Sequence, residues 1–358
     1  MLTLSCAGVS AQFRKYSNEF LNIGTGGRAM AMGNAQVASV DDGTAGYWNP
    51  AGLANIKENP QLNLMHAEYF AGIGKYDYGS LAIPVSGGKR TLGFSILRFA
   101  VDDIPNTLYL VQPDGSINFD LITTFSAADY AFLFSLAQQM KLSEKRTLNF
   151  GVNAKIIHRT AGDFASAWGF GFDAGVQYEN RRLRLGLVAR DITTTFNAWS
   201  YSLSAQDRAI YYVTGNEIPT HSTELTAPQV LLGGSYDFRL TGSLSLLAEA
   251  NLNLTFDGKR NTVFSSQAVS IDPRLGLEVA FKKVFFVRGG VNNVQQALDE
   301  NDSTNKKKVW IYQPSIGAGF RISNVQIDYA FTNLANQSSP LYTNIFSLKL
   351  DLKKKTKK

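Results

Sequence analysis

The chain is 358 residues long, 12% aromatic and 18% charged, with 31 glycines and a formal net charge of +6. Its charge content is below the roughly 25% of an average soluble protein, and no apolar run reaches the about 18 residues of a membrane-crossing helix. One cysteine, Cys6, excludes a disulfide framework and a cysteine-based metal site.

The basic excess is local. Lys306, Lys307 and Lys308 form one cluster, and Lys353, Lys354, Lys355, Lys357 and Lys358 form a tail. No face interleaves Lys/Arg with stacking aromatics, so nucleic acid is not expected as a partner.

In chain order, residues 1–11 come first. Val9 and Ala11 are small residues before a signal-peptidase cut, but the basic n-region is missing. The segment reads as a signal-peptide remnant, with a disordered N-terminus as the alternative. Thr3, Leu4 and Ser5 fit a lipobox around Cys6 poorly.

Residues 12–59 carry no long alternation and are dense in Gly, Ala, Asn and Asp. They also hold Phe20, Met30, Tyr47, Trp48 and Leu53, which a flexible linker would not need. Small residues allow close backbone approach, so a compact hatch inside a barrel is expected. Arg28 needs an acidic partner there, because an unpaired buried charge is costly; Asp41 or Asp42 is the expected one.

From residue 60 to 353 the recurring signal is period-2 alternation. Leu148, Phe150, Val152 and Ile156 alternate with Asn149, Gly151, Asn153 and Lys155; Trp168, Phe170 and Phe172 alternate with Gly169, Gly171 and Asp173. About fourteen such runs predict an all-β transmembrane antiparallel barrel with apolar residues outward and Gly, Asn, Asp or Arg on the lumen side. Short turns fall near 86–89, 180–181, 282–283 and 323–324, and long loops span 103–125, 196–227, 258–269 and 295–308. Residues 354–358 form a basic tail on the short-turn side. Asp272-Pro273 marks a possible strand irregularity, though proline is also ordinary at a strand's first residue.

The hatch segment resembles a known family. Gly27-Arg28-Ala29-Met30-Ala31-Met32-Gly33-Asn34, Asp41-Asp42-Gly43 and Tyr47-Trp48-Asn49-Pro50-Ala51-Gly52-Leu53 are similar to the N-terminal signature of the PorV/PorQ family, within the FadL-like barrels. The resemblance implies fourteen strands with a hatch and the outer membrane of a Gram-negative, Bacteroidetes-type bacterium. It further implies a partner- or cargo-binding role in type IX secretion or gliding, with secretion proteins or secreted cargo as partners. The loops would carry that contact through Tyr109, Trp199, Tyr201, Tyr211 and Tyr212. Two other roles stay open: a FadL-like transporter of hydrophobic small molecules, and a structural barrel in a larger envelope complex.

His66, His158 and His221 are isolated, with no HExxH or GxSxG motif, so no catalytic site, cofactor or metal is expected. Gly24-Thr25-Gly26-Gly27 lacks the Lys-Ser/Thr of a phosphate loop.

Overall fold

The computed structural model describes residues 12–13, 17–112, 115–298, 308–332 and 342–352. The expected leader over 1–11 and the basic tail over 354–358 lie outside these. Among the described residues, no helix is long and apolar enough to cross a membrane.

Fourteen antiparallel strands close a barrel. They are β1 Gln61–Tyr69, β2 Gly74–Val85, β3 Arg90–Asn106, β4 Thr123–Ser143, β5 Arg146–Ala161 and β6 Ala165–Asn180. Next come β7 in two pieces, Leu183–Arg190 and Thr195–Tyr201, and β8 in two pieces, Ser222–Thr226 and Gln229–Arg239. The circuit ends with β9 Leu244–Thr255, β10 Ser270–Phe281, β11 Phe285–Leu298, β12 Lys308–Ile322, β13 Val325–Thr332 and β14 Thr343–Asp351. Each strand pairs with its neighbour, and β14 pairs back onto β1 from Asn344↔Glu68 to Asp351↔Gln61. Closure leaves no edge, which a sheet in a bilayer requires because lipid offers backbone groups no partner.

The alternation sets which side chain faces where. On β5, Phe150 and Val152 are exposed while Asn149, Asn153 and Lys155 are buried. Leu92, Phe94, Phe134, Leu187, Leu277 and Val287 continue this apolar outer surface around the ring. The belt ends in polar contacts toward the long-loop side. There His66 meets Asp77 at 2.7 Å, and Arg98 meets the same carboxylate at 3.3 Å. Nearby, His158 stacks on Trp168 at 4.1 Å, an aromatic girdle position. The third histidine, His221, contacts the Trp199 carbonyl through Nδ1 at 3.3 Å.

The loop reading needs two corrections. Residues 196–227 are not one loop. The wall continues over Thr195–Tyr201 and Ser222–Thr226, with Trp199 opposite both Ser222 and Ala167. Also, the long-loop side carries two short connections, at 70–73 and 162–164. The β8–β9 ladder ends at Gln229↔Thr255, and beyond it Gln12–Phe13 pairs in parallel with Glu224–Leu225 of the first piece of β8.

Residues 17–56 fill the barrel. They form a 3-10 turn Glu19–Asn22, helix α1 Gly27–Ala31, helix α2 Ala45–Trp48 and a 3-10 helix Pro50–Asn55. Trp48, Met32, Leu53, Val37 and Val40 are almost fully buried. Trp48, Leu53 and Val40 pack with wall residues Tyr76, Tyr78, Leu97, Ile157 and Ile345 on the inner face, and Val37 with Val188 and Leu231, so the main apolar core lies between hatch and wall.

Candidate functional site

The hatch is fixed by hydrogen bonds that use its small polar residues. The Asn49 side chain donates to the Val37 carbonyl at 2.9 Å and to the wall carbonyl of Val176 at 3.2 Å, and accepts from Ala51 N–H. It thus caps the 3-10 helix that Pro50 opens, where the missing proline N–H costs nothing. Asp42 accepts from the backbone N–H and hydroxyl of Thr44. Asn34, at φ 61°, donates to the Ile23 carbonyl. Trp48 Nε1 donates to the Thr25 carbonyl.

The wall answers with side chains from the lumen face. Ser315 accepts from Gly33 N–H at 3.0 Å, Glu249 from Ala38 N–H at 2.8 Å, and Ser347 from Gly27 N–H at 2.9 Å. Asn153 and Gln177 donate to the carbonyls of Gly46, Ala38 and Val40. Where the hatch backbone comes closest, the wall has glycine. A Cβ on Gly151 would sit 2.2 Å from the Pro50 carbonyl carbon, and one on Gly290 2.1 Å from that of Met32.

Arg28 finds a different partner from the expected one. Its guanidinium donates twice to Glu278 of β10, at 2.9 and 3.3 Å, and Glu278 also accepts from Arg288 at 2.6 Å. Asp41 pairs instead with Arg184, at 3.6 Å. Burial alone would lower the Arg28 pKa; the Glu278 charge, with Asp41 and Asp42 adding to it, outweighs burial and raises it. Glu278 lies 250 positions away in the chain, and only the closed ring brings it under α1.

The hatch separates two cavities. On the long-loop side is one of about 320 Å³, touched by Met30 and Asn34 of the hatch and by Asn253, Asp272 and Asn292 of the wall. On the short-turn side is one of about 230 Å³, touched by Arg28, Asp41 and Asp42 and by a mainly basic rim that includes Arg181, Arg182 and Lys283. One turn of α1 thus faces both.

Two of the wall's irregularities bear on the lumen contents described above. The ladder between β10 and β11 runs from Phe281↔Phe285 only as far as Leu275↔Val291. Pro273 would come next but one and has no N–H to give. Across from it, Asn293 has φ 49°, and the β11–β12 register shifts between Asn292 and Gln295. Among the described residues, 270–274 and 292–298 are therefore not laddered to each other, and they flank the 320 Å³ cavity.

The second irregularity was not read from sequence. Against β6, strand β7 pairs Ala174↔Ala189 and then Phe170↔Phe196, so β7 carries three residues more than β6 here, in a break over 191–194. Ile192 points outward, 47% exposed, and Asp191 points inward. The buried Lys155 ammonium lies 2.8 Å from Asp173 and 2.5 Å from Asp191, which ties the excursion to its neighbouring strands.

The five loop aromatics do not form one surface. Trp199 and Tyr201 are half-buried on the strand, stacked at 6.4 Å, with the Arg159 guanidinium 5.2 Å from the Trp199 ring. Tyr211 and Tyr212 lie on helix α3, Ala205–Val213, where Tyr211 is half-buried and Tyr212 is 84% exposed. Tyr109 donates to Asp207 of α3 at 2.5 Å and so joins the two long loops. That bond, with those from Ser204, lowers the Asp207 pKa, and the same carboxylate raises that of Tyr109. The depressed acid favours docking above the usual carboxylate range and loses it as pH falls through the folded value. The raised phenol favours docking below the usual tyrosine range and loses it as pH rises through its folded value. Tyr109→Phe is expected to speed amide exchange across α3 at neutral pH, with no change in the barrel strands; unchanged exchange would mean that this bond does not hold the loops together.

Among the described residues, no group of three or more His, Cys, Asp or Glu is placed to hold a metal.

No family model and no curated protein matches the chain. Solved structures do. The CymD monoaromatic hydrocarbon channel is similar over 93% of this chain and 99% of its own, at 14% identity and a TM-score of 0.56. The Ralstonia pickettii toluene transporter TbuX covers 92% and is covered to 98%, at 15% identity and a TM-score of 0.55. The Pseudomonas putida toluene transporter TodX covers 91% and is covered to 96%, at 12% identity and a TM-score of 0.54. At these identities the likeness is one of fold: the chain shares the barrel architecture of these three proteins.

Proposed function

We propose that the protein is an outer-membrane barrel that admits small molecules from its long-loop side into a hatch-closed lumen, acting by passage and not by catalysis. The observation that carries this reading is the 320 Å³ cavity, which lies on top of the hatch and beside the unladdered stretch of β10 and β11. A cavity at a barrel mouth is a common small-molecule position, and a break in pairing gives the wall a place to yield. The neighbours named for toluene and monoaromatic hydrocarbons support the transporter reading over the secretion reading.

Proteoliposomes holding the chain are expected to take up small labelled solutes, and Asn292→Trp, which fills the cavity, to reduce that uptake. Uptake equal to that of empty liposomes, or unaffected by filling, would remove the reading.

A second reading keeps the PorV/PorQ resemblance. Its support is a set of exposed apolar side chains on the long loops: Phe119 at 70%, Tyr212 at 84% and Val213 at 68%. Such a set suits a secretion component or cargo protein as partner. On that reading, serine at these three positions abolishes co-purification from the native membrane and leaves uptake as it was.

A further inference from the structure

We infer that the cavity above the hatch selects a neutral, hydroxyl-rich solute of sugar size and not a hydrocarbon; this rests on reading that cavity as the entry site.

A site built for a hydrocarbon is lined mostly by apolar and aromatic side chains, with few polar groups. This lining has the opposite balance. Eight of its residues carry side-chain amides, among them Asn22, Asn34, Asn253, Asn292, Gln295 and Gln313, while Ile23, Met30, Tyr69 and Pro314 supply the apolar contacts. An amide offers a donor and an acceptor side by side, which matches a hydroxyl that does both. A hydrocarbon would strip water from these groups and return no hydrogen bond, an unfavourable exchange.

The charges in the lining are already answered. Arg260 pairs with Glu19 at 3.1 Å and with Asp257 at 2.6 Å, and Arg274 pairs with Asp272 at 3.2 Å. Neither an anion nor a cation is therefore favoured by an unmatched opposite charge.

Unmet acceptors point the same way. Asn34 Oδ1, Asn253 Oδ1, Thr255 Oγ1 and Asp272 Oδ1 are buried without a hydrogen-bond partner among the described residues. All four residues line this cavity. Buried polar atoms are rarely left so; these lie beneath the cavity surface, and a solute that donates several hydroxyls would satisfy them once the side chains turn toward it. The volume is at the lower end of the ~300–1,000 Å³ usual for small-molecule sites. Tyr69 gives one ring against which the C–H face of a pyranose can lie.

The test uses the purified full chain in detergent, titrated calorimetrically with glucose, sucrose and raffinose and, separately, with toluene. Saturable binding of at least one sugar is expected. Asn253→Leu and Gln313→Leu are each expected to weaken it by about tenfold or more, as for a lost hydrogen bond to a buried group. Heat-modifiable gel mobility checks that both variants are folded. No binding of any of the three sugars, or sugar binding unchanged in both folded variants, overturns the inference. So does toluene binding that either leucine strengthens in the absence of sugar binding. Flux into proteoliposomes, measured in parallel, separates this from the transport reading. Sugar binding without flux of any solute keeps the ligand class and removes transport; toluene flux without sugar binding does the reverse.

Discussion

Gly290→Val is expected to unseat the hatch. Its Cβ would lie 2.1 Å from the Met32 carbonyl carbon and 2.2 Å from Gly33 nitrogen, both backbone atoms that cannot turn aside as a side chain can. Overpacking a core costs about 1–3 kcal/mol. At about 1.4 kcal/mol per factor of ten, the ratio of seated to unseated hatch falls by roughly five- to a hundredfold. Planar-bilayer conductance should rise accordingly. Gly289 supplies the control. It is next in sequence but on the outer face, where the nearest atom to an added Cβ is 3.8 Å away. Gly289→Val should leave conductance unchanged. Equal effects of the two valines would show that Gly290 does not lie against the hatch.

Lys155→Met should give the largest loss of stability. The ammonium is 3% exposed and is shared by Asp173 and Asp191. Removing it leaves two facing carboxylates in the wall, and breaking a buried pair costs about 3–5 kcal/mol. The break at 191–194 would lose its inward anchor at the same time. The readout is the temperature at which the folded gel band disappears, which should drop sharply. Combining Lys155→Met with Asp173→Asn and Asp191→Asn should recover part of the loss, since neutral amides do not repel. A single variant as stable as the parent would show that this cluster carries no stability.

The two experiments touch parts of the molecule that differ in how far sequence reveals them. The strand faces were legible, because each run carries its own alternation: Phe150 and Val152 outward, Asn149 and Asn153 inward. The glycines and amides on the inner face suited a wet or a plugged lumen, and the small residues of 12–59 pointed to the plug. Gly151 and Gly175 face Pro50 and Asn49 for that reason. The excursion at 191–194 was not legible. Ile192 and the threonines after it look like more strand, and nothing local marks Asp191 as the residue that turns inward to Lys155. Trp199 was read as a loop residue because the alternation around it uses small partners, Ala198 and Ser200. Arg28 was assigned acids of its own segment, Asp41 or Asp42, but its partner is set by ring closure. The cavity draws on hatch, strands and loops from Glu19 to Thr332, a distribution without any sequence period.

The close fit of hatch to wall also orders how the molecule is made. The ring is sealed by the first strand and the last, β1 against β14. Inside it, hatch backbone lies directly on wall glycines from β5, β7, β10 and β11, such as Gly151, Gly186, Gly276 and Gly290. A finished cylinder leaves no clearance for threading a folded segment of this width past those points. The hatch must already be in position when the final seam zips, so the N-terminal segment serves as the mandrel on which the sheet is rolled. Rates of assembly should therefore depend on a part of the chain that never enters the lipid. A barrel that closes without residues 17–56 and later accepts them as a separate peptide would contradict that order.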